Sequence, residues 1–563
     1  MKNMMKIKKS VVLALSLVLA TACTDELSEI NTNPNGIEPA EVNPNLLMPA
    51  VLAPAAQQYL NLGFGNAAGV VQHTQKNGFG RAHNEYKFEA VDWSNWYAIL
   101  RTNALLEKRA DDLDLDFFKG VALTMKSFIF GNITDLWGDA PYTRAVKGNQ
   151  GGKEFEFPPF DSQEVIYDGI IADLNQAADI FASANADGVA EAADLYFNGD
   201  VLQWQRFAHS LLLRYYLRIS EKKPQIARQG IEAIYRSGIY FQSADQDATL
   251  DYTGGANDVW PSQYTDENDF TRYQACETLI DQLVTTQDPR LGVWFDPVAV
   301  KWIPDPALDA ETDSVLRTNG EPVEDGAVSY RYLEFKAREN IDFTRRFNPN
   351  LVSFDVDTGT YVGLKPGLLT PESYNGNPDP GQGTNNQHVS LLAPVYATSG
   401  TAGDILQARL ISSAEVGFIL AEAALKGWNV GSAEVHYNEA IRQSLQTWGQ
   451  TDAYDNFIAQ PGIAFNGSLT QLMTQKWVAS WTAATEAWMD FRRTGLPVLQ
   501  AGPASSQPVV AIRFPYGNDE RNNNAANASL AIERLEITPY SSTLGADSPW
   551  SKPWVLQGTG KPW

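Results

Sequence analysis

Between residues 291 and 400, glycine and proline fill 20 of 110 positions, against 52 of the other 453, and regular helix does not continue through such a stretch. On either side, over approximately 45–240 and 410–500, apolar residues recur at helical spacing. Together these features predict a mainly α fold. A helical scaffold has its first part at 45–250 and its second at 411–500; a loop-rich insertion at 251–410 interrupts it and a loop-rich segment at 501–563 follows it. Alternations inside the insertion, such as Val328-Ser329-Tyr330-Arg331-Tyr332-Leu333-Glu334-Phe335, predict a few short strands at most. With 563 residues, 44% of them apolar, the chain has ample material for a core. Packed helices that present irregular loops are the geometry of a binding protein, because loops adapt while the frame stays rigid.

Three stretches carry the helical signal. Trp93, Tyr97 and Leu100 repeat at four and three residues, and Asn103 extends that face, which predicts one buried stripe. In RFAHSLLLRYYLRIS (206–220), Arg206, Ser210, Arg214 and Arg218 recur every four residues while Phe207, Leu211, Leu212, Tyr215 and Ile219 fill the remaining arc. So wide an apolar arc predicts a largely buried helix whose arginines need carboxylate partners. In ILAEAALKGWNVGSAEVHYNEAI (419–441), Leu420 and Ala421 fall in one helix and Ala433, Tyr437 and Ala440 in the next. Small residues let such helices approach while the tyrosine fills the groove, as in tetratricopeptide repeats. Gly417 stands where that repeat prefers Trp, and no clean period of about 34 residues runs elsewhere, so the repeats are degenerate.

Lys6, Lys8 and Lys9 precede the apolar run Val11–Ala20 and then Thr21-Ala22-Cys23, the charged, apolar and small-residue order of a secretory signal. The run is too short to span a bilayer, and no other stretch reaches about 18 uncharged apolar residues. Cys23 after small residues resembles a bacterial lipobox, with Ala20 where such boxes prefer Leu. Residues 1–22 are therefore predicted to be a signal peptide, Cys23 the lipidated first residue of the mature chain, and 23–44 a tether broken by three prolines. Loss of Lys2, Lys6, Lys8 and Lys9 leaves 39 Lys and Arg against 67 Asp and Glu, a balance of −28. So acidic a surface repels phosphate backbones and argues against nucleic acid as a partner. A neutral or cationic ligand fits better, and aromatics at 11% of the chain predict that some rings face solvent to bind it.

Catalytic machinery is not legible. The five histidines, at 73, 83, 209, 388 and 436, lack metal-ligand spacing, GTGK (558–561) lacks the flanking residues of a phosphate loop, and no G-x-S-x-G elbow occurs. Cys276 beside Glu277 is predicted to have a raised pKa. The reading is of a protein that is not an enzyme and has no cofactor and no catalytic metal; a structural calcium is left open. A surface glycoside hydrolase is the rival, since a carboxylate pair is identified only by its separation in space.

Several motifs in order resemble the SusD/RagB family, the surface nutrient-binding lipoproteins of Bacteroidetes. DLWGDAPY (135–142) resembles the family's L-[YW]-G-D-x-P-Y turn and FDSQEVIYDGIIADL (160–174) the helix after it. SAEVGFILAEAALKG (413–427), QKWVASWTAATEAWMDFRRTG (475–495) and RFPYGNDERNNNAAN (513–527) are further matches. Ala484 departs from a common Gly, and Gly517 from the Pro of R-x-P-Y-P. Each motif also has a physical reading. Gly138, Pro141, Asp135 and Asp139 make a capped corner, while Trp477, Trp481, Ala484 and Trp488 share the face of one 475–495 helix, with Glu486 or Asp490 neutralising Arg492 and Arg493.

The resemblance implies a lipid-anchored protein on the extracellular face of the outer membrane. It would bind oligosaccharides, or alternatively peptides, and deliver them to a SusC-like TonB-dependent β-barrel; the acidic residues after Cys23, Asp25 and Glu26, fit that export route. Stacking on sugar C–H faces needs rings, and hydroxyls need planar polar partners. Two stretches interleave these types: 77–93, with Phe79, Arg81, His83, Asn84, Tyr86 and Asp92, and 251–270, with Asn257, Asp258, Trp260, Tyr264 and Asn268. Trp260 and Tyr264, supported by Arg81, Asn84, Tyr86, Asn257 and Asp258, are the expected platform, with Trp260 raised on a loop by the Gly-Gly turn before it and Pro261 after it.

Overall fold

Side-chain caps set where the scaffold helices begin. Asp200 accepts from Gln203 N at 3.1 Å, Ser412 from Glu415 N at 3.1 Å and Ser468 from Gln471 N at 3.2 Å, each satisfying a donor that the first helical turn leaves free. The structure is a computed structural model that describes residues 41–252, 260, 272–318, 320–323, 333, 336, 339–381, 386–396 and 405–562. Cys23, the signal and most of the tether lie outside these residues, as does the alternating 328–335 stretch apart from Leu333.

The first scaffold block contains α1 (Pro49–Gly63), α2 (Asn66–Val70), β1 (Thr74–Lys76), α3 (Arg81–Glu85), α4 (Ser94–Asp112), α5 (Asp116–Trp137), α6 (Gln163–Phe181), α7 (Val201–Arg218) and α8 (Pro224–Ser237). α5 is apolar around its circumference and almost wholly buried, so it sits centrally with α4 and α6 against it. The chain then forms β2 (Ala248–Asp251), β3 (Tyr273–Ala275), α9 (Glu277–Thr285), β4 (Val300–Pro304), β5 (Leu316–Thr318), β6 (Glu321–Val323), β7 (Phe343–Phe347) and β8 (Gln407–Ile411). β4 and β7 pair in parallel, and β5 joins β7 and β6 antiparallel, in a small sheet of order β4-β7-β5-β6. The two ends of this insertion meet, because β2 and β8 pair antiparallel with Asp251 opposite Gln407. β1 and β3 pair from Thr74–Ala275 to Lys76–Tyr273 and fasten the insertion to α2 and α3.

The second block contains α10 (Ser413–Leu425), α11 (Ala433–Thr447), α12 (Leu469–Ala479), α13 (Ala484–Thr494), α14 (Asn518–Asn523) and α15 (Ala525–Glu533). α10 and α11 are the expected tetratricopeptide-like pair, and Tyr437 fills their groove at 0% exposure. A Cβ on Gly417 would stand 2.9 Å from the Ala440 Cβ, so glycine here lets the helices touch where a tryptophan could not fit.

The 475–495 stretch is not the single helix expected. It breaks at 480–483, where Thr482 has φ 68° and the end of α1 passes so close that a Cβ on Gly63 would lie 2.8 Å from the Thr482 carbonyl oxygen. Trp477, Trp481 and Trp488 are all buried nonetheless.

Arginines from α7 and α13 bind the blocks together. Arg214 Nε lies 2.7 Å from Glu415 Oε1, and Arg218 Nη1 donates to Asp135 Oδ2 at 2.8 Å while Nη2 donates to Glu486. Glu486 thus serves α7, not Arg492; Arg492 donates instead to the carbonyls of Asp135 at 2.6 Å and Ile512 at 2.8 Å. Asp490 does pair with Arg493, at 3.0 Å, and with Lys476, at 2.6 Å. Burial would raise the Asp490 carboxyl, but these two cations more than offset it and hold it well below the usual carboxylate range. In the 135–142 corner Gly138 has φ 102°, and Asp139 caps Gln163 N at 2.7 Å. Asp135 does not cap an amide; Tyr167 Oη and Arg218 donate to it.

Candidate functional site

The 77–93 stretch folds as a sharp turn, the short helix α3 and an extended exit. Phe79, at φ 53°, and Tyr86, at φ 56°, both occupy the left-handed region that L-residues rarely adopt, so packing around them fixes the turn. Asn84 is the clamp: its Nδ2 donates to Lys76 O at 2.7 Å and its Oδ1 accepts from Lys76 N at 2.9 Å. His83, beside Thr74 Oγ1 at 3.0 Å, is pushed well below its ordinary pKa by burial and stays neutral. Below the turn, Gly367 N donates to Gln75 Oε1 at 3.0 Å, and Gly367 lies against Gly502, where an added Cβ would collide with the Pro366 carbonyl at 1.7 Å. Two loops from distant parts of the chain therefore cross beneath α3.

On this base the turn presents an outward face. Phe79 is 64% exposed, with the Arg272 guanidinium 4.9 Å from its ring centroid. Lys76 Nζ lies 4.4 Å from the ring centroid of Tyr273, the residue opposite it across the β1–β3 pair. The exposed Arg81 reaches Glu89 at 3.5 Å. A ring flanked by cationic and hydrogen-bonding groups can stack on a sugar face while its neighbours bind hydroxyls.

The structure gathers only part of the expected platform. Phe79 and Arg81 are on the surface, but Asn84 and Tyr86 are 3% and 0% exposed and support the turn from within. Asp92 turns to the chain just ahead of α4, accepting from Ser94 N at 2.7 Å. Trp260 is corrected outright: it is 3% exposed, packed edge-on to Phe64 at 5.6 Å and Tyr252 at 5.3 Å, with Tyr396 at 5.9 Å. These rings from α1 and the two sides of the insertion enclose it, so a loop position did not make it a raised ring. Asn257, Asp258, Tyr264 and Asn268 lie outside the described residues. Arg272 and Tyr273 were missed because only the β1–β3 register brings them to Lys76 and Phe79.

Other expected chemistry is settled locally. Cys276 is buried, and burial pushes its thiol up to about 12, with Glu277 adding to the rise. Among the described residues no three His, Cys, Asp or Glu side chains group as a metal site, and no helix is long and apolar enough to cross a membrane.

Paired helices that carry crossing loops, with an exposed ring and cationic neighbours above them, place the protein in the class of mainly helical, loop-presenting scaffolds. The chain belongs to the SusD-like family described as "Starch-binding associating with outer membrane", which matches residues 35–303 and 348–517. Solved structures agree in fold. A chitin-binding protein is 24% identical, with a TM-score of 0.67 over 92% of this chain and 100% of its own. A SusD homologue from Bacteroides fragilis is 20% identical, with a TM-score of 0.69 over 92% and 100%. A chitin-binding SusD homologue from Flavobacterium johnsoniae is 17% identical, with a TM-score of 0.63 over 91% and 99%. No curated protein sequence matches the chain.

Proposed function

We infer that the protein is a non-catalytic, surface-exposed outer-membrane lipoprotein that captures oligosaccharides and passes them to a partner TonB-dependent transporter. The observation that carries this reading is the exposed Phe79 ring beside Arg272, standing on a turn that Asn84 and two crossing loops hold rigid. A ring held in place before binding loses little conformational entropy when a sugar stacks on it. Family membership supports the glycan class and the outer-membrane address, and two of the structural relatives are described as chitin-binding. Lipid on Cys23 supplies the anchor, a reading that rests on the charged, apolar and small-residue order before it. An anchored binder without a pore would only concentrate its ligand, so capture is coupled to import by the barrel.

Calorimetric titration with neutral oligosaccharides, N-acetylglucosamine and glucose oligomers first, tests the site. Phe79→Ala is expected to weaken binding by about tenfold, equivalent to roughly 1.4 kcal/mol, with an unchanged melting temperature because the ring is largely solvent-exposed. Wild-type affinity in that variant removes Phe79 from the site. Binding of oligopeptides with no binding of any saccharide transfers the protein to the peptide class.

A further inference from the structure

The stripe Trp93, Tyr97, Leu100, Asn103 does more than fill the core. Together with Glu107 it lines two adjoining clefts of about 250 and 270 Å³, which share Ala145 and Val146 as a common wall. From Trp93 to Glu107 the helix face runs roughly 20 Å. Val146 has φ 52°, an unusual backbone for a β-branched residue, so the wall is held in place at a cost.

The first cleft is aromatic and acidic. Phe157, 41% exposed, stands at its edge on a segment braced from α14 and α15: Asn524 Nδ2 donates to Pro158 O at 2.8 Å and Asn527 Nδ2 to Phe157 O at 3.1 Å. Trp93, Tyr97 and Phe160 lie behind it. Glu156, Asp519 and Glu520 line the cleft with no Lys or Arg among its walls; the Trp93 side chain hydrogen-bonds to the Glu520 carboxylate, whose buried Oε2 is left without a partner. Arg521 turns away, donating to Tyr516 O at 2.8 Å.

The second cleft has an unmet demand at its floor. Asn103 is 1% exposed, and its Nδ2 donates to Ala122 O at 2.9 Å, which fixes the amide and leaves Oδ1 without a donor. Glu107 has no salt bridge among the described residues, because Asp173 takes the ammonium of Lys126 at 2.9 Å. The remaining cation, Lys147, donates to Thr143 O at 2.8 Å. Burial raises the carboxyls of both Glu107 and Glu520, as expected where a carboxylate lacks a counter-charge.

We propose that this groove is a second saccharide site, separate from the Phe79 face, for an extended oligosaccharide that carries free amino groups. Its sugar faces stack on Phe157 and the half-buried Tyr97, and its ammonium groups pair with Glu520 and Asp519 at one end and with Glu107 and the Asn103 carbonyl at the other. The overall acidity of the chain draws such a ligand in.

Isothermal titration with a glucosamine tetramer, its fully N-acetylated form and a glucose tetramer tests this. The free amine is expected to bind about tenfold or more tightly than either neutral chain in the Phe79→Ala protein, where the other face is disabled. Within that background, Glu107→Gln and Phe157→Ala should each weaken the amine about tenfold; both positions tolerate substitution, one being an isosteric change and the other a surface ring. Equal binding of amine and acetylated tetramers overturns the proposal. So does wild-type binding in both groove variants, and neither result bears on whether the Phe79 face binds neutral glycans.

Discussion

Asp247 carries an unusual burden for one side chain. Its Oδ1 accepts from Ser413 N at 2.6 Å, at the start of α10, in a fully buried place. Burial pushes its carboxyl up to about 7, although the Ser413 hydrogen bonds and Arg409 work the other way. The unfolded chain releases this proton near its ordinary value of 3.8 and the folded one near 7, so the folded state holds the extra proton between those values. Asp247 therefore makes stability fall as pH rises from about 4 to about 7, after which its contribution is level. Asp247→Asn keeps the acceptor and removes the charge. Thermal melts should show the variant gaining on wild type by roughly 2 °C or more between pH 5 and pH 8. An equal shift at both values would mean that the carboxyl is already ionised at pH 5. Trp260 makes the same point about environment: a turn residue by sequence, it is a core ring by position.

At the scale of elements, the contact between α10 and α11 depends on the absence of a side chain. Gly417 packs against Ala440 so closely that even a methyl is tight, and a larger group must push the helices apart. Gly417→Leu is expected to cost about 1–3 kcal/mol, read in a denaturant titration as a lower midpoint with an unchanged slope. A neutral result would show that α11 slides without loss and that this pair does not hold the second block together. The tetratricopeptide-like spacing of Ala421, Ala433, Tyr437 and Ala440 was legible because helix periodicity is local. The break at Ser480–Ala483 was not, because it follows from the passage of α1, more than 400 residues earlier in the chain.

For the whole molecule, the question is its address. The Lys-rich start, the apolar run and Cys23 have the order of a lipoprotein signal, and among the described residues no helix is long and apolar enough to cross a membrane. Cys23→Ala is expected to move the protein from the membrane fraction to the soluble fraction in cell fractionation. In cells carrying the unaltered protein, crosslinking should recover a large β-barrel in stoichiometric amount. Retention of the Cys23→Ala variant on membranes, accessible to external protease, would rule out the lipid anchor. Folding joins parts far apart in sequence: Arg218 of α7 meets Asp135 of α5 and Glu486 of α13, and the insertion leaves and returns through the β2–β8 pair.

Residue spacing alone made legible the helical blocks, the glycine-dependent corner at Gly138 and the need of Arg214 and Arg218 for carboxylates. Each rests on spacing along a few turns or on the cost of burying a charge. The sequence also placed Phe79 and Arg81 among the ligand candidates by residue type. Folding in three dimensions selected which carboxylates answered the arginines, turned Asn84 and Tyr86 inward, set Arg272 over Phe79, and opened the face from Trp93 through α4 to Glu107 into a groove. Those outcomes depend on which distant segments close over a given surface, and no local pattern of apolar and polar residues records that closure.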